Sequence, residues 1–472
     1  MEKVEAISVV GLGKLGLCAA ACFADKGYKV IGVDIDRNKI DLINRGQNPI
    51  EETGLTQLIR RCRGRLKATT DYREAVLNSQ VTFIVVATPS EANGFFSNRQ
   101  LEQALIQIGS ALKNKEQYHL VVITSTVMPG TTEKLGRRIL EETSGKNCGE
   151  GFGLAYNPEF IALGSVIHDF LNPDFILIGQ TNQKDGEILE NIYRNVCENV
   201  PHFARMNPVN AEIAKLSLNC YVTMKITFAN SLAEICERVE GADAGIITSA
   251  IGMDSRIGVK YLKPGLGYGG PCFPRDNVAF AAFSRKVNTK AKLAEMVDEV
   301  NRDQISRIVT MIKDIAGENK TANIAVLGLS YKPNTPIIEA SQAIDIVKNL
   351  ADEGYSITVY DPQALTNAKT VLVQSVGYAK NIEDCIEDSD VCLIAAPWHD
   401  FTCLGTEFFN GFAKKPFILD LWGLLRKNNL SGLGYKTVGC GPNFESRRLT
   451  EAKTTITHFP SRSKCSLISE QV

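Results

Sequence analysis

Between residues 7 and 34 the chain passes from a short apolar run, Ile7–Val10, through Gly11-Leu12-Gly13-Lys14-Leu15-Gly16 into an alanine-rich stretch, Leu17–Lys26, that Gly27 closes. A second apolar run, Lys29–Val33, then ends in Asp34. Glycines at this spacing, between a strand and a helix, predict a βαβ unit of a doubly wound parallel sheet. Gly11 allows the tight turn, Gly13 lets backbone approach a pyrophosphate, and Gly16 lets the helix pack close on the strand. Lys14 and Leu15 lie in the turn itself, where the first helical N–H groups are free to meet phosphate. Asp34 stands at about the 20-residue distance expected of an acid that hydrogen-bonds a ribose. A carboxylate there accepts from a 2′-hydroxyl and repels a 2′-phosphate, so NAD is the expected cofactor rather than NADP. The competing reading is a glycine turn with no ligand.

Further apolar, β-branched runs at Val81–Ala87 and Leu120–Ile123 predict more strands of a parallel sheet covered on both faces. Thr88 directly follows the first of them. The same grammar returns late: Ile324–Leu329, a helix over Ser341–Glu353, Ile357–Tyr360 ending in Asp361, then Val391–Ala396 and Phe417–Leu421. This predicts a second doubly wound domain. Only Gly328 remains there of the glycine fingerprint, so a second dinucleotide is not expected, although Lys332 in the following loop is placed to meet a phosphate. Its alternative is an exposed loop lysine. Between the two repeats, Ala211–Glu240 keeps helical periodicity without Gly or Pro, as in a helix that bridges domains, forms a subunit interface or lies in a core. The expected fold is thus α/β, two Rossmann-like domains joined by a long central helix and a helical linker region. Its divisions are 1–205 for the cofactor, 206–315 for the central region, 316–449 for the second Rossmann-like domain, and 450–472 for a polar tail.

With 52 Lys+Arg against 53 Asp+Glu, the formal charge of -1 offers no field to hold a polyanion, which argues against nucleic acid. No apolar run reaches the ~18 residues of a membrane span, and the start has no basic-then-apolar leader. The thirteen cysteines are odd in number and show no CxxC pair, so neither a metal site nor a disulfide framework is expected. A reducing, cytoplasmic setting fits them. One cysteine differs from the rest: Cys272 sits in Pro264-Gly265-Leu266-Gly267-Tyr268-Gly269-Gly270-Pro271-Cys272-Phe273-Pro274-Arg275-Asp276. Glycines that admit a ligand and prolines that stiffen the loop surround it, and a neighbouring cation favours its thiolate. A single cysteine is more often packing than nucleophile; this loop reverses the balance.

From about residue 7 to about 445 the chain resembles the UDP-glucose/GDP-mannose dehydrogenases. The resemblance rests on GLGKLG (11–16), Ser125–Gly130, NPEF (157–160), the Lys215–Asn219 helix, GADAGIITSAIGMDSRIG (241–258), GGPCFPRD (269–276) and LGLSYKPNT (327–335). It implies a four-electron oxidation of a nucleotide-linked sugar CH2OH to a carboxylate, with Cys272 as covalent carrier. Lys215 and Asn219, four apart on one helix face, would stabilise an oxyanion. Asp276 and Thr126 would hold a water. Glu159 would sit by the nicotinamide as general base. Phe160, Tyr261, Gly269 and Lys332 would join Lys215 and Asn219 around the substrate, with Arg256 presented across the interface of a homodimer or higher homo-oligomer.

The chain departs from the common UDP-glucose pattern at Leu163, where a Glu is usual. It departs again at Glu339-Ala340-Ser341 in place of Arg-Glu-Ser, at Asp420-Leu421-Trp422 in place of Asp-Gly-Arg, and at Arg275 in place of Lys. UDP-glucose is therefore the first expected substrate, with GDP-mannose or a UDP-N-acetylhexosamine as alternatives. Two other readings are a two-electron 3-hydroxyacid dehydrogenase, which has no use for Cys272, and a cofactor-binding regulator without turnover.

Overall fold

The structure is a computed structural model that describes residues 3–317, 321–372 and 376–442. The expected polar tail and Cys465 lie outside the described residues. Fourteen strands form two sheets among the described residues. The first contains β1 (Ala6–Val10), β2 (Lys29–Val33), β3 (Leu66–Thr69), β4 (Val81–Ile84), β5 (Leu120–Ile123), β6 (Gly153–Tyr156), β7 (Phe175–Gln180) and β8 (His202–Met206). The second contains β9 (Asn323–Leu327), β10 (Ser356–Tyr360), β11 (Val376–Tyr378), β12 (Val391–Ile394), β13 (Phe417–Asp420) and β14 (Tyr435–Thr437).

The first sheet runs β3-β2-β1-β4-β5-β6-β7-β8 and the second β11-β10-β9-β12-β13-β14. Each therefore carries the doubly wound order, reversing direction beside its first strand, where ligands of such sheets bind. Every ladder is parallel except β6–β7. The fold is α/β with Rossmann-like N- and C-terminal sheets and a helical region between them. β1, β4 and β5 are buried almost throughout, which is why they read as continuous apolar runs.

The first helix spans Lys14–Asp25, beginning a turn earlier than its apolar pattern suggests, because it starts in the glycine turn itself. The strand expected over Val81–Ala87 stops at Ile84; Val85 and Val86 leave the ladder to pass over Gly11. The long helix runs Pro208–Cys236, 29 residues or about 43 Å at 1.5 Å per residue. Asn207 caps it by accepting from the Asn210 N–H, and Pro208 supplies the preset first turn. Its inner face is buried, whereas Tyr221, Phe228 and Ile235, seven apart, are exposed. No helix among the described residues is long and apolar enough to cross a membrane.

At the end of the first sheet away from the glycine turn, His119 is fully buried. Its Nδ1 donates to Ser79 O at 3.1 Å, which leaves Nε2 to accept from the Thr82 hydroxyl at 2.7 Å. Burial, with Lys115 nearby, lowers its pKa from 6.5 to about 3. The unfolded chain takes up this proton and the folded chain does not, so stability falls as pH drops from 6.5 towards 3. At pH 5 the deficit from this one group is about 2 kcal/mol. Urea unfolding at pH 7.5 and pH 5 should show it, and His119→Gln should remove most of that difference. An unchanged difference in the variant would place the acid sensitivity elsewhere.

Candidate active site

The cofactor end is built by close approach. Gly11 has φ +93, and a Cβ there would stand 2.4 Å from Val85 O; a Cβ on Gly16 would stand 1.9 Å from Gly11 O. Around Gly13 a Cβ would meet nothing within 4 Å, so the turn is open where a pyrophosphate would lie. The helix that follows has no side-chain cap and no acidic residue in its first turn, which leaves its N–H groups and dipole to an anion. Lys14 and Leu15 flank this opening half-buried. Asp34 Oδ2 accepts from Leu12 N at 2.8 Å and from Lys39 Nζ at 3.0 Å, while Oδ1 accepts from Asp36 N at 3.0 Å. These bonds outweigh desolvation and hold the carboxyl below its usual range. The residues present fit a bound NAD.

The second sheet copies this turn and closes it. Gly328 N donates to Tyr360 O at 2.8 Å, as Gly11 N does to Val33 O at 2.8 Å. Asp361, the counterpart of Asp34, accepts from Leu329 N, Ser330 N and Ser330 Oγ on one oxygen and from Gln363 N and Ala364 N on the other. It is fully buried and has no capacity left for a ribose. This explains in physical terms why one glycine suffices there.

Cys272 immediately precedes helix Phe273–Lys286, whose first turn contains Pro274 and Asp276. The glycine loop before it is clamped by amides from three helices. Asn230 Oδ1 accepts from Gly265 N at 2.9 Å, Asn301 Oδ1 from Tyr268 N at 2.8 Å and Gln342 Oε1 from Gly267 N at 2.6 Å. The Gly270 N–H donates to Glu339 O at 3.0 Å, and a Cβ on Gly269 would stand 2.2 Å from Ala340 O. At Gly269 and Gly270 the cysteine loop therefore meets the backbone of the loop that follows β9, with the Tyr331 ring packed against Gly270. Tyr261, with φ +63, presents its ring edge-on to Phe273 at 6.2 Å.

The long helix brings Lys215 and Asn219 to this cysteine. Its N-terminal part is pinned by buried Glu212, which accepts from the Gly130 and Thr132 N–H groups at 2.5 and 2.8 Å. Lys215 Nζ donates to Glu159 O at 2.6 Å and lies 4.4 Å from the Phe160 ring centroid. Asn219 Nδ2 donates to Asp276 Oδ2 at 2.6 Å, and Arg275 stands 3.5 Å from Asp276 Oδ1. Arg275 also reaches Thr88 Oγ1 at 3.5 Å and lies over Phe96, while the Thr88 hydroxyl donates to Thr126 O at 2.7 Å.

These contacts set the electrostatics. Burial and the Asp276 charge raise the Cys272 thiol pKa, and Lys215 and Arg275 oppose them. The residue as a whole is nevertheless exposed, which places Cys272 at the edge of a crowded crevice. Burial raises Asp276 and lowers Lys215, each against the pull of the other. Burial also raises Glu159 to about 7, against Tyr193 and Lys215. The cluster holds a nucleophile, a buried cation, an amide donor and two carboxyls, the requirements of chemistry at a carbonyl carbon.

The structure thus gathers Cys272, Lys215, Asn219, Asp276, Glu159, Phe160, Thr88 and Thr126 into one neighbourhood. Two expected residues stand elsewhere in this chain. Exposed Arg256 bonds through its side chain and its backbone N–H to half-buried Asp254. Lys332 is half-buried and faces the charges of Asp169 and Glu52. Trp422 packs against Gly265 and donates Nε1 to Ala395 O at 2.9 Å, a packing role. Leu163 joins the first apolar core. Sequence reasoning missed Lys39 and Tyr193. A basic residue one turn into the helix after Asp34 was a usable signal for the first; nothing local marks the second.

A dinucleotide turn on one Rossmann-like sheet, a thiol–lysine–carboxyl cluster at its edge and a second such sheet closing over the cysteine loop define a nicotinamide-dependent dehydrogenase of two-Rossmann architecture. Residues 5–197 match the NAD binding domain of the UDP-glucose/GDP-mannose dehydrogenase family, residues 209–303 its central domain and residues 325–427 its UDP binding domain. The chain belongs to this family and is an NAD-dependent nucleotide-sugar 6-dehydrogenase. It is 38% identical to a UDP-glucose 6-dehydrogenase of Haloferax volcanii, over 85% of this chain and 93% of that protein. It is 34% identical to a GDP-mannose 6-dehydrogenase of Pseudomonas aeruginosa, over 75% of this chain and 80% of the relative. A solved UDP-glucose dehydrogenase of Pyrobaculum islandicum superposes with a TM-score of 0.84 at 31% identity, covering 93% of this chain and 98% of that one.

Proposed function

We propose that the chain oxidises the 6-CH2OH of a nucleotide-linked sugar, UDP-glucose first, to the uronic acid through a thioester on Cys272. The observation that carries the reading is the cysteine–lysine–asparagine–aspartate cluster, built on a loop clamped from three helices. Bound NAD supplies the hydride acceptor, twice per acid formed.

In the first oxidation the alcohol carbon loses a hydride and its oxygen loses a proton, which a water held by Asp276 and Thr126 receives. The Cys272 thiolate then adds to the aldehyde carbon, and Lys215 and Asn219 neutralise the oxyanion of the thiohemiacetal. Loss of a second hydride leaves the thioester. Water attacks that carbonyl with Glu159 taking its proton, the C–S bond breaks, and the thiol is restored.

Residues 1–205 would hold NAD through Gly11, Gly13, Lys14, Leu15, Gly16, Asp34, Thr88, Thr126 and Glu159, with Lys39 as a further ribose contact. Residues 206–315 would carry the cysteine loop. Residues 316–449 would hold the nucleotide, with Lys332 at its phosphates; Phe160, Tyr261 and Gly269 would line the sugar. The apolar stripe Tyr221, Phe228 and Ile235 supports a homodimer through the long helix, which would let Arg256 reach a neighbouring subunit's substrate. Cytoplasmic residence agrees with a cysteine set that contains no CxxC pair.

GDP-mannose is the second reading, favoured by the relative in Pseudomonas aeruginosa and by the departures at Leu163, Glu339 and Trp422. Incubation with NAD and a panel of UDP- and GDP-sugars, counting NADH per acid, tests both. Two NADH per acid with UDP-glucose is expected. One NADH per oxidised product would overturn the thioester route, and faster turnover of GDP-mannose would overturn the substrate.

A further inference from the structure

The Tyr193 hydroxyl has one proton and two acceptors. Its oxygen lies 2.6 Å from Asn157 Oδ1 and 2.7 Å from Glu159 Oε1, and the side chain is fully buried. The Asn157 amide cannot turn its nitrogen towards the tyrosine without losing the bond from Nδ2 to Leu177 O at 2.9 Å. With Glu159 ionised, both neighbours only accept, and the hydroxyl can serve one of them. With Glu159 protonated, its O–H donates to the Tyr193 oxygen, Tyr193 donates to Asn157, and every atom of the chain is satisfied.

We infer that Tyr193 is a positioning residue whose proton turns between Asn157 and Glu159, and that this two-position rotor decides which form of Glu159 faces the cleft. At rest the bond count favours the neutral acid. Ionisation draws the Tyr193 proton to Glu159 and leaves a buried amide oxygen unpaired, which opposes the change.

The titratable groups facing Glu159 are few. Tyr193 and Cys197 come from the end of the helix Gln183–Val196, and Lys215 comes from the long helix. The other walls, from the helices Lys14–Asp25 and Val166–Leu171 and from β4, contribute Leu15, Phe23, Phe170 and Phe83, all apolar. They line a small pocket of about 10 Å³ against Glu159 and Thr124, whose buried Oγ1 has no hydrogen-bond partner. A water there would both donate and accept, so it would serve either form of the acid and leave the choice to Tyr193.

The inference rests on the reading of Glu159 as the base that hydrolyses the thioester, and two readouts keep them separable. The first is direct titration of the Glu159 carboxyl by infrared difference spectroscopy, its band identified by its loss in Glu159→Gln. The second is the pH profile of acid release in a single turnover. Tyr193→Phe removes the donor to the anion and should move the titration to higher pH. Asn157→Leu removes the competing acceptor and should move it to lower pH, each by about one unit, a tenfold change in the ratio of ionised to neutral acid. Opposite shifts in both readouts support rotor and base together. Opposite carboxyl shifts with an unmoved profile support the rotor and overturn the role of Glu159. An unmoved carboxyl, or shifts of the same sign, overturns the rotor. Should either variant unfold, Glu159→Gln carries the test, since it imitates the neutral form. It should melt at no lower temperature than the parent at pH 8, and a clear drop would overturn the inference.

Discussion

Cys272→Ala should lower acid formation by at least about 10³-fold while leaving NAD affinity within about twofold of the parent. On the proposed route the Cys272 sulfur is the one atom in the cluster that other groups cannot replace, and without it the aldehyde would have to be oxidised as a free hydrate. The glycine turn and Asp34 are built by contacts among Leu12, Val85 and Lys39, none of which involves Cys272, so cofactor binding is independent of it. Any NADH that remains should accompany aldehyde, trapped with a carbonyl reagent, rather than acid. A variant that keeps more than about a tenth of the parental acid formation would exclude a thioester carrier.

Lys215→Met should cost about 10²–10³ in kcat, or about 3–4 kcal/mol of transition-state stabilisation, with a much smaller effect on KM. Its ammonium is buried and held by Glu159 O, and on the proposed route it would meet charge that develops only when the thiolate adds or the thioester is attacked. A second consequence has a definite sign. Lys215 lowers the pKa of both Cys272 and Asp276, so its removal raises both. The limb of the pH profile that depends on thiolate should move to higher pH. Methionine keeps the stem that packs over Phe160, so the fold should survive. A variant with normal kcat and raised KM would make Lys215 a ground-state binder and remove it from the chemistry.

Much of the fold could be read in the chain because its determinants are local. The turn at Gly11, the reach of Asp34 and the stop at Gly27 depend on backbone freedom and on residues a few positions away. Both sheets announced themselves through apolar runs, because strands covered on two faces must be apolar throughout. β3, β6, β7, β8, β11 and β14 were not foreseen. They are three to six residues long, and several alternate or end polar, so no window separates them from loop.

The cysteine loop was legible too, since glycine and proline crowded around one thiol leave few other purposes. Its partners were named only through family resemblance, and the structure sets Asn219 at hydrogen-bonding distance from Asp276 and Lys215 at that distance from Glu159 O. What the sequence by itself determined is the set of reactive groups and the two sheets that present them. Tertiary structure alone decided how those groups are tuned. Arg275 meets Thr88 across 187 residues, Asn219 meets Asp276 across 57, and Tyr193 meets Glu159 across 34. Only a finished fold, in which burial has stripped away water, makes such contacts and lets a single proton on Tyr193 matter. No local pattern of amino acids encodes a distance between helices.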